Sequence, residues 1–181
     1  MITPADIRRA CAKALTNERF EPTVDGTTWC NYGVHAILTC LGLGDLVWEQ
    51  RWGRPMMAND MAEKLSGCCR ELTFDEAFTK ANEGAVIIAA LKMPNHGHVA
   101  VVYPFPGRYT SGKWHRADVP CVANIGKDNG VMPLNWAFGA KPQLWLVAEP
   151  GIDKGENDEQ DKAGTGGGGD VLAGDVPGEG S

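Results

Sequence analysis

The chain of 181 residues contains no run of about 18 apolar residues, so no membrane-spanning helix is expected. Its first fifteen residues, "MITPADIRRACAKAL", lack the charged segment followed by an apolar one that marks a signal peptide. A basic stripe is also missing. Residues 1–150 hold fifteen basic and fifteen acidic side chains, and the net charge of −6 comes entirely from the eight acidic residues and two lysines that follow. A nucleic-acid partner is therefore not expected. The six cysteines (Cys11, Cys30, Cys40, Cys68, Cys69 and Cys121) are spaced neither as a zinc ribbon nor as a secreted disulfide scaffold. Vicinal Cys68-Cys69 is awkward for a structural bridge. The glycine run "TGGGG" is no phosphate loop, because no strand precedes it and no Lys-Ser/Thr follows. These absences predict a reduced protein, made in the cytoplasm without a signal peptide and with mostly inert thiols.

The composition is that of an ordinary globular domain, 43% hydrophobic and 22% charged, and the length allows one proper core. Thr3-Pro4 reads as a helix start, followed by Ile7, Ala10, Cys11, Ala14 and Leu15 on one face. Cys11 is read as core. A second helix is predicted from near Thr28, with two threonines placed to cap it, Val34, Ile37, Leu38 and Leu41 turned inward, and Gly42 and Gly44 as its stop. A third is expected from an Asn59 cap to Gly67, and a fourth from the Thr73-x-x-Glu76 capping box to Gly84.

The pattern then changes. "AVIIAALK" (85–92) and "HVAVVYP" (98–104) are apolar runs of strand length with a turn between them, which predicts an antiparallel hairpin. "DVPCVANIG" (118–126) and "QLWLVAE" (143–149) are further strands, with a polar loop through Trp114 before them and a turn at 127–130. Helices first and sheet second is an α+β order. Residues 1–150 form the domain. Residues 151–181 are rich in glycine and acid and poor in branched apolar groups, so a disordered tail is expected there.

Cys30 stands where the second helix begins. A free cysteine is readily a small buried hydrophobe. In the first turn of a helix it also feels the partial positive charge of the N-terminus, which favours the thiolate. A nucleophilic cysteine needs a base, and His98 opens a strand that can lie against this helix. Asn124, a polar residue inside an apolar stretch, is the candidate to orient the imidazole. His96-x-His98 has the spacing with which a strand presents two imidazoles to one metal, but no third ligand accompanies it, so no metal is expected. His35 lies about 500° round the helix from Cys30 and is read as a packing or surface residue. His115 falls in the loop. Trp29, Trp114 and Trp136 are the candidates to line a substrate cleft, with core packing as their alternative role.

"TTWCNYGVHAILTCLG" followed by "GHVAVV" resembles the NlpC/P60 and CHAP group of papain-like cysteine hydrolases, over about residues 20–148. The resemblance implies N-terminal helices packed on a four- to six-stranded antiparallel sheet. It implies Cys30 as nucleophile, His98 as base and Asn124 as the third residue, with Asn129 and Asn135 as competitors for that place. Asp25, Thr27 and Thr28 are candidates for the oxyanion neighbourhood, beside the Cys30 N–H. "CNYG" departs from the Cys-Thr or Cys-Ser common in the group. The implied activity is cleavage of amide bonds in peptidoglycan stem peptides, as endopeptidase or N-acetylmuramoyl-L-alanine amidase, without a cofactor. Such a protein would act on the cell wall after lysis, from a virion, or after export by dedicated machinery, with a virion or secretion partner in the latter cases. Two other readings stay open: the same chemistry on a protein substrate, and a catalytically silent interaction or virion module of the same fold.

Overall fold

Thr3 starts helix α1 (Pro4–Leu15) through a capping box: its hydroxyl accepts from the Asp6 N–H at 3.2 Å, and the Asp6 carboxylate accepts from the Thr3 N–H at 3.1 Å. Ile7, Ala10, Cys11 and Ala14 form its buried stripe. The computed structural model describes residues 1–23, 28–107, 109–114 and 116–151. The expected disordered tail, past Gly151, lies outside the described residues. Helix α2 (Cys30–Cys40) buries Val34, Ile37 and Leu38 as predicted. Its N-cap is Trp29 and no side chain caps it, which corrects the expectation of a threonine cap.

A small antiparallel ribbon, β1 (Trp48–Glu49) with β2 (Arg54–Pro55), leads to α3 (Ala58–Cys68). This helix begins one residue before Asn59, so Asn59 is not its cap. The Asn59 amide instead donates to the Met93 carbonyl at 2.8 Å and accepts from the Met93 N–H at 3.1 Å. Strand β3 (Arg70–Leu72) precedes α4 (Phe74–Glu83), which has the expected Thr73–Glu76 capping box and ends at Gly84.

The rest of the chain is mostly sheet: β4 (Val86–Leu91), β5 (His98–Tyr103), a ribbon of β6 (Tyr109–Ser111) and β7 (Arg116–Val119), then β8 (Cys121–Asn124), β9 (Gly130–Pro133), the short α5 (Leu134–Ala137) and β10 (Gln143–Ala148). Six strands form one antiparallel sheet in the order β3-β10-β4-β5-β8-β9. The strand expected over 118–126 is two strands. Pro120 lacks the N–H to continue a ladder, and β7 pairs with β6 while β8 joins the main sheet.

Helices cover both faces of this sheet, which is why β4 and β5 read as continuous apolar runs rather than alternating ones. Val86, Ile88, Ala90, Val99 and Val101 meet α1, α2 and α3 in one core layer. Ile87, Ala89, Ala100 and Val102 meet α4, Leu134 and Phe138 in the other. Each fully buried isoleucine contributes about 1.5–3 kcal/mol, so Ile87 and Ile88 anchor opposite layers from adjacent positions. The fold is α+β, with N-terminal helices against an antiparallel sheet.

Candidate active site

Gly33 sets where the start of α2 sits. A Cβ there would lie 2.3 Å from Ile125 Cδ1, so only glycine lets the helix approach the end of β8 this closely. One turn earlier on the same helix, Cys30 reaches the start of β5. Its thiol faces the main-chain N–H of Val99, together with the N–H groups of Asn31 and of Cys30 itself. Those donors lower the thiol pKa, as a helix start should. Burial raises it more: Cys30 is 6% exposed, and the net direction is upward. The expectation of a thiolate favoured at rest is thus corrected, because desolvation outweighs the first-turn N–H groups.

His98 is the residue next to Val99. Along β5 the side chains alternate, so Val99 points into the α2 layer while His98 points the other way, onto the Phe138 ring at 4.7 Å. As the first residue of the strand, His98 stands at the end of the sheet, half-buried. Its Nε2 lies 2.7 Å from Asn124 Oδ1. Asn124 is itself fixed, since its Nδ2 donates to the Asp128 carbonyl at 2.6 Å. A carbonyl only accepts, so Oδ1 must be the atom that faces the ring. Nε2 therefore carries the ring proton, and Nδ1 is left with a free lone pair. Burial lowers the His98 pKa, and the Asn124 bond offsets this in part. Burial thus favours the neutral form of both the imidazole and the thiol. Among the described residues no hydrogen bond joins the two directly; the thiol bonds the N–H of Val99, the residue that follows His98 in the chain.

A groove of about 410 Å³ opens beside the pair. His98, Asn124, Gly126, Lys127, Asp128, Phe138, His96 and Thr28 line it, and Trp136, 75% exposed, stands on its rim. Of the three tryptophans expected at a cleft, only Trp136 is there. Trp114 packs edge-on against Phe74 at 5.8 Å in the α4 layer, because the β6–β7 ribbon folds over that face. Trp29 caps α2 and packs against Tyr32 and the core rather than lining the groove. Cys30 is not among the residues that line the groove.

The competitors for the third place have other positions. Asn129 accepts from the Gly126 N–H and donates to the Phe20 carbonyl, each at 2.9 Å. Asn135 lies on α5, its Oδ1 buried with no hydrogen-bond partner among the described residues. His35 stacks on Trp48 at 4.9 Å, on a surface hollow with Thr39 and Asp45. Asp25, Thr27 and His115 lie outside the described residues. No group of three or more metal-ligating side chains occurs among those described. The role of Gly126 was missed by sequence reasoning: a Cβ there would meet His98 Cε1 at 3.3 Å and Asn124 Nδ2 at 3.4 Å. Its position two residues after a buried asparagine was the available signal. No protein-family model matches this chain, and no curated protein sequence matches it.

Proposed function

We propose that the protein is a papain-like cysteine hydrolase that cleaves amide bonds through Cys30, His98 and Asn124. The observation that carries the proposal is the oriented pair: Asn124 Oδ1 at 2.7 Å from His98 Nε2, at the strand end where the Cys30 thiol meets the next residue's N–H. An imidazole held in this tautomer offers Nδ1 as the base. In the reaction the thiol proton passes to Nδ1 and sulfur attacks the carbonyl carbon. The main-chain N–H groups around the thiol are placed to stabilise the resulting oxyanion. The imidazolium then protonates the leaving amine, and water releases the thioester acyl group as a carboxylic acid. Every step uses protein groups and water.

Peptidoglycan stem peptide is the proposed substrate. It is supported by the resemblance of "TTWCNYGVHAIL" and "GHVAVV" to the NlpC/P60 and CHAP group, and an open groove with an exposed Trp136 rim suits an extended substrate. The test is release of new amino groups from purified peptidoglycan by the full chain. Cys30→Ser and His98→Ala are each expected to lower the rate by about 10²–10⁴-fold. No release by the wild type would overturn the substrate, and release unaffected by Cys30→Ser would overturn the mechanism.

One observation favours a second reading. The Cys30 thiol is buried and its pKa is raised, as suits a silent module that retains the fold. Alkylation kinetics of the individual cysteines separate the two readings. A nucleophile reacts faster than the other buried thiols, Cys11 and Cys121, and slows in His98→Ala; a silent module shows neither.

A further inference from the structure

The turn after β8 is held by its own side chains. Asn124 donates to the Asp128 carbonyl at 2.6 Å, and Asn129 accepts from the Gly126 N–H at 2.9 Å. Gly126 lies against the His98 ring, with room for a hydrogen and none to spare for a methyl group. The other end of the Asn129 amide donates to the Phe20 carbonyl at 2.9 Å. Phe20 ends the short turn Glu18–Phe20, which packs against α2 and the core layer that contains Cys30. One half-buried side chain therefore ties the turn beside His98 to an element packed on α2. Its oxygen fixes the main chain that covers the imidazole, and its nitrogen holds that main chain to the Glu18–Phe20 turn. Both ends are committed, because an N–H can only donate and a carbonyl can only accept.

We infer that Asn129 is a positioning residue that keeps the His98–Asn124 pair in register with the start of the Cys30 helix. The inference rests on the hydrolase reading above and adds a residue to it. Asn129 does not reach the imidazole. It acts through Gly126 on one side and Phe20 on the other. Without it the turn keeps the Asn124–Asp128 bond but loses its tie to the Glu18–Phe20 turn that packs on α2. The His98–Asn124 pair then no longer keeps a fixed place relative to the start of α2, and its assistance to the thiol falls away.

The test is peptide-resolved alkylation of the full chain with iodoacetamide across a pH series. The variants are wild type, His98→Ala, Asn129→Ala, Asn129→Asp and the double variant His98→Ala/Asn129→Ala. Asn129→Asp keeps the acceptor for Gly126 and loses the donor to Phe20, so it separates the two arms. Asn129→Ala is expected to slow Cys30 alkylation at neutral pH by about ten- to a hundredfold, the effect of misplacing a reacting group by an ångström or so. Its pH profile should move towards that of His98→Ala. The double variant should be no slower than His98→Ala alone, since both changes remove one assistance. Cys11 and Cys121, both buried, report on folding in the same samples. If they react in step with Cys30, the residue serves the fold alone and the inference is overturned. A wild-type rate in Asn129→Ala, with a slow His98→Ala, overturns the positioning role and leaves the hydrolase reading intact. Equal Cys30 rates in wild type and His98→Ala overturn that reading, and this inference with it.

Discussion

Helices α1 and α4 begin in one way and α2 in another. Thr3 with Asp6, and Thr73 with Glu76, close capping boxes that occupy the first free N–H groups of their helices. Helix α2 has Trp29 at its N-cap and no side-chain cap, and the N–H groups of Cys30 and Asn31 face the Cys30 sulfur instead. A helix leaves four N–H groups unpaired at its start. Where they are capped, they stabilise the fold. Where they are left open beside a thiol, they are available to a sulfur anion or to a carbonyl oxygen that gains charge. Under the proposed mechanism these three helix starts divide between stability and chemistry.

The comparison can be broken at Gly33, where the largest effect on stability is expected. Gly33→Ala places a Cβ 2.3 Å from Ile125 Cδ1 and 2.9 Å from Ile125 Cβ, which forces the start of α2 off the sheet. Overpacking of this kind costs about 1–3 kcal/mol, read by denaturant unfolding. Adding Ile125→Ala should restore the Cys30 alkylation profile while leaving a cavity cost in stability. A Gly33→Ala variant of wild-type stability would show that close approach does not set the helix position.

A smaller effect sharpens the same comparison. Thr73→Ala removes a working cap and should cost about 1 kcal/mol, with the Cys30 alkylation profile unchanged. Thr28→Ala, at an exposed position that caps nothing, should fall within about 0.5 kcal/mol of wild type. Equal losses at the two positions would mean that Thr28 supports α2 in a way the N-cap geometry does not show.

The two boxed helices were legible in the sequence because a capping box is local, four residues that specify each other. The central strands were legible because both faces are buried. Cys30, His98 and Asn124 were legible as residue types out of place for their surroundings. What escaped was decided at a distance. Asn59 bonds Met93, 34 positions along the chain, so no local pattern distinguishes it from a cap. Strands β3 and β9 are edge strands of three and four residues, too short for any periodicity to declare them. Trp114 looked like a cleft residue until the ribbon placed it on Phe74. The thiol's environment was misjudged for the same reason. The helix-start effect is visible in sequence, whereas the depth of burial that outweighs it depends on how β5 covers Cys30.

That balance sets the last and smallest prediction, the pH dependence of stability. Burial holds the His98 pKa below its ordinary value of 6.5, so the folded state prefers the neutral ring. This contribution is fully present above about pH 6.5 and is lost as the pH falls through the depressed value, because the unfolded chain then binds the proton more readily. For Cys30 the sign reverses. Its pKa is raised from 9.0, so the folded state prefers the thiol, and the contribution is lost as the pH rises past the unfolded value. Burial also raises Cys11 and Cys121, to about 12 and about 11, so the alkaline limb has several owners. On the acid side the Glu63 and Glu76 carboxyls are held down too, by hydrogen bonds from Lys92 and from the Thr73 N–H, but below the histidine range. His35 is also held down by burial, against an opposing pull from Asp45. His98→Gln, which can still donate to Asn124, should flatten the fall of Tm between pH 6.5 and lower pH, and His35→Gln should flatten what remains. An acid limb unchanged in both variants would mean that neither buried ring resists protonation. Burial would then give no preference for the neutral imidazole, whereas a charged thiolate–imidazolium pair would raise the His98 pKa and make stability grow as the pH falls.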